Sequence, residues 1–400
     1  MRSPRSSLPS PLDGRKFWIA GIGGAGMSAY ALLARAWGAE VRGWDRTPTA
    51  YLEQLAGIDV EISDDPPPPP EGWEAFVSTA FVERVRGKTR AALLGELVSL
   101  RDSIVVAGAH GKTTTSAMIA FCLEESGRDP AWLIGADVPQ LGGNAGTGEG
   151  WLVVEGDESD RTIAALRPRI AVVTNVDLDH HATFGSRAEV AELFESWLAN
   201  VPAVVNGEEL PPYDGPLAIA GRHNRRNAAS ALAALELAGM DRDEAAGVLA
   251  EFRGAARRLE HRGRVRDAEV YDDYAHHPAE IAATLEALKN GGRLLVLFQP
   301  HLYSRTRHLA AELAVALATA DVVAVTDVYP AREQPVEGVT GKLVVDALSD
   351  LRPGMPVAWT PSVDEGARFL AGQIRAGDRV VTIGAGDVDR AAEALLETLG

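Results

Sequence analysis

Short apolar runs alternate with longer amphipathic stretches along nearly the whole chain, and parallel sheets covered by helices require that alternation. Phe17–Gly21 reads as a buried strand, followed by a Gly-rich turn and a helix to about Trp37. Glu40–Gly43 and Phe76–Thr79 read as strands and Arg90–Leu100 as a helix, while the five consecutive prolines between Asp64 and Gly72 exclude helix there. A second unit opens with the strand Ser103–Ala107, a loop and a helix over Lys112–Glu125. The strands Trp151–Val154 and Ile170–Thr174 and an Ala-rich helix, Asn227–Ala238, continue it. After the link Phe252–Gly254, a third unit carries strands at Val270–Tyr271, Arg293–Phe298, Val322–Val325 and Arg379–Ile383. Four hundred residues exceed one ordinary core. The expected division is a leader over 1–15 and domains over 16–100, 101–253 and 254–400.

A formal net charge of −17 excludes nucleic acid as a partner, because a phosphate backbone needs a basic surface. Phosphates can still be held by loop amides, single cations and metal ions. The one cysteine, Cys122, cannot form an internal disulfide and reads as a small buried apolar residue. No apolar run approaches the roughly 18 residues that span a membrane. Met1–Pro11, with two arginines and no apolar segment, reads as a disordered tail and not a signal peptide. A cytoplasmic, reducing setting is expected.

The segment Val105-Val106-Ala107-Gly108-Ala109-His110-Gly111-Lys112-Thr113-Thr114-Thr115 lies between a strand and a helix. That is the setting of a phosphate loop, in which amides around Gly108 and Gly111 point at phosphate oxygens. Lys112 then reaches the β/γ phosphates and the Thr113 hydroxyl binds Mg²⁺. Val106 stands where the general pattern has its first glycine. Downstream, the strand Trp151–Val154 ends in Glu155-Gly156-Asp157-Glu158-Ser159-Asp160, whose oxygens suit Mg²⁺. Ile170–Thr174 ends in Asn175-Val176-Asp177-Leu178-Asp179-His180-His181. Ligands of open α/β sheets bind at the carboxyl ends of strands. Lys112, Thr113, Glu155 and His180 are therefore expected along one edge.

Taken in order, GIGGAGMS (21–28), GAHGKTTT (108–115), EGDESD (155–160), GRHNRRN (221–227), DDYAHHP (272–278), FQPHLYSRT (298–306), DVYPARE (327–333) and GAGD (384–387) resemble the Mur ligases of peptidoglycan synthesis. The likeness runs from Phe17 to Asp387. It implies an α/β fold of three domains: an N-terminal Rossmann-like one, a central P-loop ATPase-type parallel sheet and a C-terminal Rossmann-like one. It further implies ATP and two Mg²⁺ ions, with UDP-N-acetylmuramate and L-alanine as the molecules joined. GIGGAGMS and DVYPARE favour the alanine-adding branch over the peptide-recycling one.

Carried over residue by residue, the resemblance puts Gly108, His110, Gly111, Lys112, Thr113 and Thr114 on the ATP phosphates and Asn224 and Asn227 on adenine. Thr113 and Glu155 take the first metal and His180 a second. Arg258, or its neighbour Arg257, supplies the C-terminal arginine at the phosphates. Asp273 or Asp272 meets the ATP ribose or orders the joint between domains. Tyr274, His276, His301 and Arg305 form the pocket for the amino acid and the reacting carboxylate. Lys112, His180, Arg258, His276 and Arg305 are the catalytic candidates. Gly21, Gly23, Gly24, Ala25, Gly26, Met27 and Ser28, with Asp45, Ser78 and Thr79, are the candidates for the UDP-sugar.

Two other function classes remain open on the sequence. The Gly21–Gly26 turn also suits NAD, with Asp45 on the ribose, and a nucleotide-binding homologue without activity would keep the same motifs. Only 39 residues separate His181 from Gly221, which implies a shortened central domain. No lysine occurs between 113 and 288, so the carbamylated central-domain lysine of several relatives cannot form here.

Overall fold

A computed structural model describes residues 10–177, 183–289, 292–331 and 333–399. Its contacts group the chain into two compact units. One comprises the residues up to Pro211 with Asn227–Phe252, and the other comprises Pro212–Arg226 with the residues from Arg253 onward.

The first unit holds two sheets. Strands β1 (Lys16–Ala20), β2 (Glu40–Asp45), β3 (Asp59–Ile62), β4 (Glu74–Val77) and β5 (Lys88–Thr89) lie in the order β3-β2-β1-β4-β5, with every pair parallel. Helices α1 (Ala25–Ala36) and α2 (Arg90–Ser99) belong to this sheet. The strand order reverses between β1 and β4, where such sheets receive their ligands. The turn after β1 and Ser78–Thr79 after β4 therefore share one crevice.

The second sheet contains β6 (Ser103–Ala107), β7 (Ala131–Val138), β8 (Gly143–Thr147), β9 (Leu152–Glu155), β10 (Ile170–Val173) and β11 (Ala203–Asn206), in the order β11-β10-β6-β9-β7-β8. Only the β7–β8 pair is antiparallel among the described residues. Helix α3 (Lys112–Glu125) follows β6, and α4 (Arg187–Leu198), α5 (Arg222–Leu237) and α6 (Arg242–Leu249) come later, the unit boundary falling within α5. Eleven consecutive residues of α3, Thr113–Leu123, are buried, so the helix shows no apolar stripe and reads as core on every side. Cys122 sits there with its thiol pushed up to about 12 by burial.

These two sheets share one apolar core. It runs from Leu12, Phe17, Leu33 and Trp37 through Leu94 and Leu97 to Val105, Leu133, Ile163 and Trp197. Trp37 Nε1 also donates to Gly148 O at 3.3 Å. The leader expected over 1–15 is correspondingly shorter among the described residues. Leu12 is fully buried, its amide donates to Trp37 O at 2.9 Å, and Arg15 pairs with Glu74 and Glu96. Two leucines, at 8 and 12, among Ser, Pro and charged residues make no sustained periodic signal, so only packing shows Leu12 as core.

In the second unit, β12 (Glu260–Val265), β13 (Ala268–Asp273), β14 (Leu294–Phe298), β15 (Val322–Val325), β16 (Val357–Trp359) and β17 (Arg379–Ile383) lie in the order β12-β13-β17-β14-β15-β16. The hairpin β12–β13 is antiparallel and the other pairs are parallel. Helices α7 (Pro278–Leu288), α8 (Tyr303–Leu317), α9 (Lys342–Leu351), α10 (Val363–Ala371) and α11 (Arg390–Leu399) accompany it, and an apolar core lies on each face of the sheet. Residues 212–226, expected in the central domain, pack with this unit.

Leu12→Ala is expected to lower unfolding stability by about 2–5 kcal/mol, the usual cost of emptying a leucine site. Thermal unfolding reads this directly. An unchanged melting curve would mean that residues 10–15 add nothing to the core.

Candidate active site

The centre of the first unit is the mouth of three adjacent strands, β9, β6 and β10. They are not consecutive in the chain, since β7 and β8 intervene between β6 and β9. The phosphate loop leaves β6 and passes so close to the end of β10 that a Cβ at Gly108 would fall 2.2 Å from Thr174 Oγ1. Gly108 and Gly111 hold φ of +138° and +82°, a region that side chains disfavour. A Cβ at Gly111 would also strike Asn227 Oδ1, at 2.4 Å. Asn175 clamps the loop from both ends of its amide: His110 N donates to Oδ1 at 3.0 Å, and Nδ2 donates to His110 O at 2.8 Å. Thr174 Oγ1 donates to the same carbonyl at 2.6 Å. The sequence reading gave Thr174 and Asn175 no role. Their signal is a hydroxyl and an amide placed where an apolar strand ends beside a glycine loop.

Lys112 folds back over the loop and donates to Gly108 O and, at 3.0 Å, to Glu158 Oε1. Burial alone would depress its ammonium, but the carboxylates of Glu158, Glu155 and Asp157 raise it above the ordinary lysine value. Thr113 Oγ1 donates to Glu155 Oε1 at 3.0 Å, and Gly135 N donates to Glu155 Oε2 at 2.7 Å. One hydroxyl and one carboxylate this close to a phosphate loop fit Mg²⁺, which keeps several waters and shares substrate phosphates. Thr114 is buried in the first turn of α3. His180, expected to hold a second metal, lies outside the described residues.

At the first sheet, Asp45 closes on the Gly-rich turn. Its Oδ2 accepts from Gly23 N at 2.7 Å, and Thr49 Oγ1 donates to Gly23 O at 2.7 Å. Asp45 is only 6% exposed, and its carboxylate shapes the turn. Gly24 caps α1, leaving the amides of Ala25, Gly26 and Met27 without acceptors inside the helix. Ser28 is buried within that helix, Ser78 N donates to Ala20 O at 3.0 Å, and Thr79 is exposed beside it.

In the second unit, β13, β17 and β14 are adjacent, and their carboxyl ends bring the expected pocket residues together. The ring centres of Tyr274 and His276 lie 5.7 Å apart, as do those of His276 and His301. His301 stacks on Tyr329 of the DVYPARE segment at 6.0 Å. Arg305 Nη1 stands 3.2 Å from His301 Nδ1, and this arginine is only 8% exposed. His276 is oriented by its contact with Tyr274 O at 3.1 Å and by Glu280, which accepts from its amide at 3.1 Å. Tyr329 joins this cluster, and its one signal in the sequence is its place in the DVYPARE motif.

The two arginines differ in their hydrogen bonds, although both guanidiniums lie over the Tyr274 ring, at 5.2 Å for Arg257 and 5.1 Å for Arg258. Arg257, at φ +56°, donates to Asp272 Oδ2 at 2.8 Å, to Gly386 O at 2.9 Å and to Gly384 O at 2.7 Å. It is a tie across the sheet's end, and Asp272, also hydrogen bonded by Thr382, is its anchor. Arg258 lies 5.1 Å from the Tyr274 ring centre and acts on the charge of Asp273. Asp273 accepts from Leu259 N at 2.6 Å and Ala275 N at 2.8 Å. Burial pushes its carboxyl up to about 6, against the opposing pull of Arg258 and those two amides. Asn224, 3% exposed, donates to Ala220 O at 2.7 Å, whereas Asn227 faces Gly111 in the first unit.

A P-loop on a parallel sheet, accompanied in the chain by two further Rossmann-like sheets, defines a nucleotide-dependent enzyme of the α/β class. Comparison with known families matches residues 106–210 to the Mur ligase middle domain and residues 257–386 to the glutamate ligase domain of Mur ligases. The chain belongs to the Mur ligase family. It is 37% identical to the UDP-N-acetylmuramate–L-alanine ligase of Renibacterium salmoninarum, with 96% of each chain covered. The enzyme of the same name from Streptomyces coelicolor is 36% identical, with 98% of this chain and 99% of that one covered. Among solved structures, the UDP-N-acetylmuramate–alanine ligase of Thermotoga maritima superposes with a TM-score of 0.75 at 27% identity, covering 96% of this chain and 98% of that one.

Because the folded state keeps a proton on Asp273 that the unfolded chain has released, its ionisation removes stability as pH rises from about 4 to about 6. Asp273→Asn fixes the neutral form. The melting temperature of the wild type minus that of the variant is expected to fall across this window, corresponding to as much as about 3 kcal/mol. A flat difference would show that the carboxyl titrates at its ordinary value.

Proposed function

We infer that the protein is an ATP-dependent ligase that joins L-alanine to the lactyl carboxylate of UDP-N-acetylmuramate in peptidoglycan precursor synthesis. The observation that carries this reading is the Lys112–Thr113–Glu155 arrangement at the phosphate loop, set in a chain alignable over 96% of its length with ligases of that name. The N-terminal sheet is assigned to the UDP-sugar, with the turn Gly21–Ser28 and Ser78–Thr79 in its crevice. The second sheet is assigned to ATP, and the third, through Tyr274, His276, His301 and Arg305, to the amino acid and the reacting carboxylate.

A carboxylate does not condense with an amine at neutral pH, because oxide would have to leave. A lactyl carboxylate oxygen attacks the γ-phosphorus of ATP, the bond to the bridging oxygen breaks, and ADP departs from a mixed acyl phosphate. The neutral amine of alanine then adds to the acyl carbon, and inorganic phosphate leaves with the C–O electron pair as the amide forms. A pocket base receives the proton lost from nitrogen. When bound, Mg²⁺ would be held by Thr113 and Glu155 and would supply charge neutralisation for the transferred group; the resemblance gives a second ion to His180, which lies outside the described residues. Lys112 exchanges Glu158 for the β/γ oxygens, and the loop amides fix the phosphate in line, so positioning and electrostatics carry the rate. The family resemblance assigns Arg258 as a cation at the phosphates, and Asp273 holds the backbone at Leu259 beside it. His276 and Arg305 orient the amine and the carboxylates.

No helix among the described residues is long and apolar enough to cross a membrane. We place the reaction in the cytoplasm, where a single buried thiol such as Cys122 stays reduced.

Lys112→Ala is expected to lower turnover by at least about 10²–10³-fold while UDP-N-acetylmuramate still binds. Phosphate release is followed with ATP, Mg²⁺, UDP-N-acetylmuramate and L-alanine, omitting each in turn. Release that ignores the amino acid would overturn the ligase reading, and wild-type turnover in the variant would remove Lys112 from the mechanism.

A further inference from the structure

Arg90 opens α2 and has no part in the assignments above. Its side chain is a quarter exposed, and Nη1 donates to Asp160 Oδ2 at 3.1 Å. The guanidinium carbon lies 5.8 Å from the ring centre of the buried Tyr30. A Cβ built on Gly26 would fall 3.4 Å from Arg90 Nε, so the guanidinium rests against the first turn of α1. Burial alone would weaken this cation, but Tyr30, Asp160 and Asp157 hold it above the ordinary arginine value.

Two loops with separate tasks therefore meet on one guanidinium. One is the turn assigned to the UDP-sugar, whose amides at Ala25, Gly26 and Met27 have no acceptor inside the helix. The other is the acidic loop that carries Glu155, Asp157, Glu158 and Asp160. A diphosphate at the turn would meet like charge from Asp157 and Asp160 unless a cation stood between them. Lys112 is committed to Glu158. Arg90 touches both sides, and its planar fork can exchange a carboxylate for two phosphate oxygens in a way that a point charge cannot.

We propose that Arg90 binds the diphosphate of the UDP-sugar directly, leaving Asp160 for phosphate oxygens as the substrate enters the Gly21–Ser28 turn. This inference rests on the assignment of that turn to the UDP-sugar.

The full chain is tested as the Arg90→Ala and Arg90→Lys variants, by calorimetric titration with UDP-N-acetylmuramate and by phosphate-release kinetics. Arg90→Ala is expected to raise both Kd and KM for UDP-N-acetylmuramate about tenfold or more, with the KM for ATP changed by less than about twofold. Arg90→Lys, which keeps the charge and loses the fork, recovers part of the affinity, and it carries the test alone if the alanine variant does not fold. An unchanged Kd, or a parallel rise in the KM for ATP, would make Arg90 a structural tie and overturn the proposal. If the wild type itself bound no UDP-N-acetylmuramate, the assignment of the turn would fall first and the proposal with it. That outcome is distinct from a wild type that binds and a variant that binds equally well.

Discussion

Thr174 and Asn175 grip the phosphate loop from the neighbouring strand, and the site in the first unit is built around that grip. Both side chains donate to His110 O while Asn175 Oδ1 receives the His110 amide. A loop held on both its donor and its acceptor side by a buried strand cannot drift. The amides that must face phosphate are thereby fixed before any nucleotide arrives, and preorganisation of this kind spares the reaction its reorganisation cost. The same closeness dictates glycine at 108 and 111, where any side chain would strike Thr174 or Asn227.

Electrostatics in this acidic chain are local. A net charge of −17 would repel the polyanions that the site is built to hold. Lys112 is buried among Glu155, Asp157 and Glu158, which keep it protonated and give its ammonium a resting place at Glu158. Arg90 stands in the same way against Asp160 and Asp157. Each cation is paired with a carboxylate, so neither faces the cost of a buried charge left alone.

The second unit applies the same logic to a pair of adjacent arginines. Positive φ at Arg257 and Leu259 turns the chain sharply between the end of β17 and the end of β13. Both guanidiniums lie over the Tyr274 ring, but Arg257 donates to the carbonyls of Gly384 and Gly386 and to Asp272, whereas Arg258 acts on the charge of Asp273. Arg257 thereby fastens the backbone at the end of the sheet. Asp272 and Asp273 divide in parallel, because successive residues of a strand face opposite sides of the sheet.

The sequence by itself determined the three parallel-dominated sheets, since buried central strands are continuous apolar runs whatever surrounds them. Ser103–Ala107, Val322–Val325 and Arg379–Ile383 were legible to the residue. It also determined the phosphate loop, because glycines, lysine and threonine between a strand and a helix meet a purely local requirement. Edge strands such as β3, β8, β12 and β16 left no such mark, being short and apolar on one face at most. Only the tertiary structure decided that Leu12 is core, that Asp45 turns back onto Gly23, and that Asn175 clamps a loop 65 residues earlier. Only packing likewise showed that Arg257 ties Asp272 to the carbonyls of Gly384 and Gly386. Those choices depend on which polar group ends up within 3 Å of which backbone atom, and linear spacing does not encode that distance.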